Sequence, residues 1–200
     1  MLLASAPARE TSAQGWPDHI RFADDWTAIR DSGVSVIVEE RPAAQLELAA
    51  KPLLMLDPFM WRGRGAPHEA VAALGDLPDA LARDIGQLAT LFAELMKCGE
   101  VRLRLELVDN DSCRKLHADY TDLRLITTYV GRGTQFAPSN QADTDNLLNI
   151  GPGDIALVKG WMFAEGHEPC LHRSPPIAGT GERRFLLAID TPRIDPENRR

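Results

Sequence analysis

The chain has 200 residues, 44% of them hydrophobic and 26% charged, which is ordinary for a globular protein and long enough to bury a core without disulfides. A net charge of −7 argues against nonspecific nucleic-acid binding, which depends on Lys and Arg neutralising phosphates. No run approaches the ~18 apolar residues of a membrane span, and three widely spaced cysteines favour free thiols in a reducing cytoplasm over a disulfide framework.

The opening MLLASAPARETSAQ lacks the basic region and long apolar stretch of a signal peptide, and residues 1–15 are expected to form a poorly ordered tail. Residues 16–200 are expected to make one domain, mainly helical over 16–99 and a β-sandwich over 100–192. DDWTAIRDSG (Asp24 to Gly33) reads as a short helix ended by Gly, and VSVIVEER (Val34 to Arg41), rich in β-branched residues, as a strand. PAAQLELAAKPLLML returns to helical composition with an interruption at Pro52, and the Gly and Pro of MWRGRGAPH suggest a loop.

The clearest helix is DALARDIGQLATLFAELMKCG. Leu81, Ile85, Leu88, Phe92 and Leu95 recur at three- and four-residue steps on one face, with Gly99 as the stop, so this face should pack on a sheet. After Gly99 the period falls to two. In VRLRLELV, Val101, Leu103, Leu105 and Leu107 point one way while Arg102, Arg104 and Glu106 point the other. LRLITTYV, GDIALVKG and RRFLLAID read as further short strands separated by Gly- and Pro-rich turns, the signature of a small antiparallel barrel or jelly roll. The fold expected is α+β, with N-terminal helices packed on a C-terminal β core.

Within CRKLHADYTDLRLITTYVG, His117 and Asp119 stand two apart, a spacing that in extended chain directs both side chains one way. Alone the pair is weak, because a loop histidine beside a turn-capping carboxylate looks the same. A third group, His172, follows in CLHRSPPI after another strand, where a closed β-fold can bring it back. Two imidazoles and a carboxylate on one face of an ion, with other positions open, are the donor set of non-haem Fe(II) oxygen chemistry.

The order HAD, strand, PGDIALVKG, HRSPPIAGTGERRFLLAID resembles the Fe(II)/2-oxoglutarate-dependent dioxygenase superfamily, and the same stretches resemble an uncharacterised bacterial domain-of-unknown-function family. The resemblance implies a double-stranded β-helix (jelly-roll or cupin-like) core in the C-terminal half. It also implies His117, Asp119 and His172 as ligands of Fe(II), and Arg183, or Arg184 beside it, as the anchor for the far carboxylate of 2-oxoglutarate. Tyr129 would donate to the same carboxylate. The implied reaction is hydroxylation or demethylation of a small-molecule or protein substrate, with neither nucleic acid nor membrane as partner and the oligomeric state open.

A rival set is Cys113, His117, Cys170 and His172, a closed thiolate–imidazole zinc site in a zinc-handling binding protein. Zinc in the His/Asp/His set without oxidation is a further alternative. The bland reading of each cysteine is a small buried apolar residue. His167 reads as a surface-loop residue, Arg173 as a substrate contact or an ion-pair partner, and His68 as a helix-start residue. GRGT lacks the Lys and following helix of a P-loop.

Overall fold

The computed structural model describes residues 16–139 and 146–192; the expected tail and part of the Gly-rich loop after Gly131 lie outside these residues. Ten strands and three α-helices are described. In chain order they are β1 (Ile20–Phe22), β2 (Val36–Glu39), α1 (Ala44–Ala50), β3 (Phe59–Gly65), α2 (Pro67–Ala72), α3 (Asp79–Met96), β4 (Val101–Val108), β5 (Leu123–Val130), β6 (Gln135–Phe136), β7 (Leu148–Asn149), β8 (Ile155–Lys159), β9 (His172–Arg173) and β10 (Arg184–Asp190). The DDWTAIRDSG segment is a 3₁₀ turn over Trp26–Arg30, opened by the Asp25 side chain accepting from the Thr27 N–H.

Seven strands form one large sheet in the order β1-β2-β8-β5-β10-β4-β3, antiparallel except for the β1–β2 pair. A small sheet, β7-β6-β9, faces part of it. The fold is thus mixed α/β, with a large, mostly antiparallel sheet and few helices. The large sheet is not confined to the C-terminal half, since β1, β2 and β3 all precede Gly99.

The assignment of MWRGRG to a loop is corrected by β3, which pairs antiparallel with β4 from Phe59↔Leu107 to Gly65↔Val101. Its glycines mislead for a packing reason. At Gly63 a Cβ would sit 1.9 Å from the Ala70 carbonyl oxygen of α2, so a helix lies against the strand where only glycine fits. Phe59 and Trp61 face the core, whereas Met60 and Arg62 are exposed.

Helix α3 packs as its periodicity requires: Leu81, Ile85, Leu88 and Phe92 are buried against the inward face of the sheet, and Leu95 is partly buried. That face presents Val101, Leu103, Leu105 and Leu107 from β4, Leu123, Leu125 and Tyr129 from β5, and Phe185, Leu187 and Ile189 from β10. Each large apolar side chain fully buried here contributes roughly 1.5–3 kcal/mol. The helix ends before Gly99, where Lys97 takes the left-handed conformation with φ 52° and its N–H bonds back to the last turn. With helices covering one face, the alternating polar residues of β4, β5 and β10 face the small sheet, and that layer holds the site.

Candidate metal centre

The two histidines are 55 positions apart in sequence, yet they are joined through the backbone. The His117 N–H donates to the His172 carbonyl at 3.0 Å, and the His172 N–H donates to the His117 carbonyl at 2.9 Å. This isolated antiparallel bridge extends the small sheet, in which His172 of β9 pairs with Phe136 of β6. The rings consequently lie 4.8 Å apart, centroid to centroid. Asp119 follows His117 on the chain leading into β5, and its backbone oxygen accepts from the Trp161 N–H at 3.0 Å, just past β8. Gly160 makes this approach possible, since a Cβ there would come within 2.6 Å of that oxygen.

Each imidazole is oriented by its Nδ1. In His117 it lies 2.9 Å from the Lys115 carbonyl, and in His172 3.1 Å from the Cys170 carbonyl. A carbonyl only accepts, so Nδ1 carries hydrogen and Nε2 of the neutral ring is left as a lone pair. Both Nε2 atoms face Asp119, at 3.7 Å from Oδ1 for His117 and 3.2 Å from Oδ2 for His172. The contact with His172 is not aligned as a hydrogen bond, and Oδ2 is a buried acceptor with no hydrogen-bond partner among the described residues. One donor atom from each of the three residues lies within 4.8 Å of the others. Three convergent lone-pair atoms, one of them orphaned, suit a divalent cation.

Arg124, on the same face of β5, fixes the carboxylate. It lies 2.6 Å from Oδ1 of Asp119 and clasps Asp190 of β10 through two bonds of 2.7 and 2.9 Å. Burial alone would raise the Asp119 pKa; His172 in its protonated form and the Arg124 charge outweigh it and hold the carboxyl well below the usual range. Asp119 is therefore ionised at neutral pH.

The three residues open into a cleft of about 120 Å³ between the sheets. Of the two arginines offered by the sequence, Arg184 lines this cleft, while Arg183 donates to the carbonyls of Leu54 and Leu56 elsewhere. Adjacent strand residues face opposite ways, and the register places Arg184 on the side of Leu186 and Ala188. Tyr129 is a correction as well. It points into the helix-covered core, where its hydroxyl donates to Asp84 of α3 at 2.8 Å, so it does not reach the cleft. Arg184 is 1% exposed and forms no ion pair among the described residues, with Glu106 its nearby acidic neighbour; its Nε donates to the Arg132 carbonyl at 2.6 Å. Burial, with the nearby Arg132 charge, pulls its guanidinium down to about 10, so it remains a cation at neutral pH.

The thiolate set does not assemble. Among the described residues the converging group is His117, Asp119 and His172. Cys170 sits in an apolar cluster, its thiol pushed up to about 12 by burial, and Cys113 is an exposed free thiol. His167 is 2.7 Å from Nζ of Lys159, and Arg173 donates to Gln135 at 2.8 Å on the rim of the cleft.

A family profile described as "Protein of unknown function (DUF1826)" matches residues 26–190, most of the chain. The chain belongs to this family. No curated protein matches it. Among solved structures, dioxygenase for auxin oxidation 1 from Arabidopsis thaliana, in its 2-oxoglutarate complex, is 12% identical with a TM-score of 0.52, over 83% of this chain and 90% of that one. The dioxygenase for auxin oxidation of rice is 13% identical with a TM-score of 0.53, over 82% and 79%. JOX2 in complex with 2OG, Fe and JA is 10% identical with a TM-score of 0.52, over 80% and 68%. At such identities the likeness between this DUF1826 protein and those structures is one of fold alone.

Reading the sequence misses Arg124, Glu106 and Asp190 as parts of this DUF1826 protein's site. A signal is present, because a strand covered on both faces must supply partners for any charge it carries. Arg124 interrupts the apolar run LRLITTYV, and its partner Asp190 closes the run RRFLLAID.

Proposed function

We propose that this protein is a non-haem Fe(II)- and 2-oxoglutarate-dependent oxygenase that hydroxylates or demethylates its substrate, built on a double-stranded β-helix. His117, Asp119 and His172 are the proposed iron ligands. The observation that carries this reading is the meeting of two outward-facing Nε2 atoms with a buried carboxylate oxygen that has no hydrogen-bond partner among the described residues. Bound iron supplies oxygen activation coupled to oxidative decarboxylation of the 2-oxo acid.

The protein's own residues then have defined tasks. The Nδ1 bonds to carbonyls keep both rings turned toward the ion, and Arg124 holds one oxygen of Asp119 so that the other is presented to it. Arg184, a buried cation that forms no ion pair among the described residues, offers a charge-assisted pair to the far carboxylate of 2-oxoglutarate. An anion in the cleft also offsets the desolvation of that guanidinium, which favours a co-substrate site over a plain metal store. The free cysteines of the described residues are compatible with a reducing cytoplasm, which we include in the proposal.

The test is anaerobic addition of Fe(II) and then 2-oxoglutarate. A visible charge-transfer band should appear in the wild type and be absent in Asp119→Ala. Arg184→Met should retain iron and bind 2-oxoglutarate at least about tenfold more weakly. Stoichiometric zinc with no spectral or thermal response to 2-oxoglutarate would favour the non-catalytic metal-binding alternative.

A further inference from the structure

The edge of the large sheet beside the cleft carries a second feature. Strands β3 and β4 pair so that Arg62 stands opposite Arg104 and Arg64 opposite Arg102. All four lie on the face that continues into the cleft, because Arg104 and Glu106 of β4 line it along with Leu186 and Ala188 of β10. Like charges directly opposite on neighbouring strands repel and destabilise a sheet. Here two such pairs are stacked, in a chain whose net charge is −7.

Neighbouring acids compensate only part of the block. Arg64 meets Glu100 at 3.4 Å with both side chains more than half exposed, a pair of small value in water. Arg102 meets Asp190 at 3.9 Å, but Asp190 is already clasped by Arg124. Glu106 forms an ion pair with Arg104, 2.5 Å from its Nε, although that Nε–H has no aligned hydrogen bond among the described residues, so Arg104 is the best compensated of the four. Arg62 is exposed, with no acidic partner among the described residues.

Resting on the oxygenase reading, we infer that the substrate is a small polyanion, carrying at least two carboxylate or phosphate groups, that lies on this arginine block with its reacting carbon reaching into the cleft. The cleft, at about 120 Å³, is too small to enclose both a co-substrate and a sizeable substrate, so most of the substrate lies on the adjoining face. The block is about 5 Å across the strands and roughly 7 Å along them, which fits two oxyanion groups rather than the long track of a nucleic-acid backbone. Planar guanidinium forks bind both oxyanions in two-point fashion.

Calorimetric titration of the full chain with inorganic pyrophosphate, and separately with tricarballylate, at fixed ionic strength against a chloride control, tests this. We expect one or both to bind, the preferred probe telling phosphate from carboxylate. Arg62→Ser combined with Arg64→Ser should weaken that binding at least tenfold while leaving the 2-oxoglutarate charge-transfer band in place. Binding no tighter than chloride, an unchanged isotherm in the double variant, or loss of binding in Arg184→Met alone would each overturn the inference. Asp119→Ala separates the two readings: it removes the iron on which the oxygenase reading depends and should leave the anion isotherm unchanged.

Discussion

Arg124 is the residue on which the site's charge balance turns, and Arg124→Met removes it at nearly constant volume. The guanidinium makes three contacts under 3 Å with two carboxylates, and the three side chains are only 14%, 12% and 10% exposed. Breaking a buried pair by deleting one partner costs about 3–5 kcal/mol, because the surviving charge is left uncompensated. Here two charges survive, yet Arg102 remains 3.9 Å from Asp190, so the lower end, about 3 kcal/mol, is expected. Urea unfolding followed by tryptophan fluorescence reads this directly. Adding Asp190→Asn to Arg124→Met should leave the protein no less stable than the single variant, since it removes one orphaned charge. A loss below about 1 kcal/mol for Arg124→Met, or a further full loss on adding Asp190→Asn, would refute the charge-balance reasoning.

Two other perturbations follow from the same geometry. Gly160→Ala should displace the Asp119 backbone, because the new Cβ would meet the Thr121 and Asp119 carbonyl oxygens at 2.2 and 2.6 Å; metal affinity should fall at least about tenfold, and unchanged affinity would show that the loop has slack. Lys159 is fully buried and pulled down to about 8 by that burial, with the Asp31 charge opposing, while the unfolded chain keeps the ordinary value near 10.5. The penalty for its charge is therefore complete below about pH 8 and is relieved as pH rises toward 10.5, so wild type should gain about 3 kcal/mol on Lys159→Met across that window. The raised Cys170 thiol acts in the opposite sense above pH 9 but is common to both proteins, and a flat difference in urea midpoints would contradict the assignment.

Where a covered face repeats with a fixed period, the chain is readable without coordinates. The α3 stripe from Leu81 to Phe92 and the alternation of β4 are of this kind, because burial of one face is what selects the residues. β3 is illegible for the opposite reason: its inward row is Phe59, Trp61 and Gly63, and the glycine that permits α2 to dock reads locally as a loop signal. In the site, the ligand types are visible but not their convergence, which depends on two backbone hydrogen bonds between His117 and His172 that no local pattern encodes. Chain proximity to Asp119 suggests the cleft for Tyr129, yet the two-residue period puts it with Leu123 and Leu125 on the far side. The same period decides between Arg183 and Arg184 once the partners of β10 are known.

Anaerobic equilibrium titration of Fe(II), with bound metal counted by elemental analysis, measures most directly whether two imidazoles and a carboxylate form a cation site. The geometry predicts a single ion per chain, bound about 100-fold or more weakly by His172→Ala and unaffected by Cys113→Ala. Equal affinity in wild type and His172→Ala, or loss of metal with Cys113→Ala instead, would contradict it.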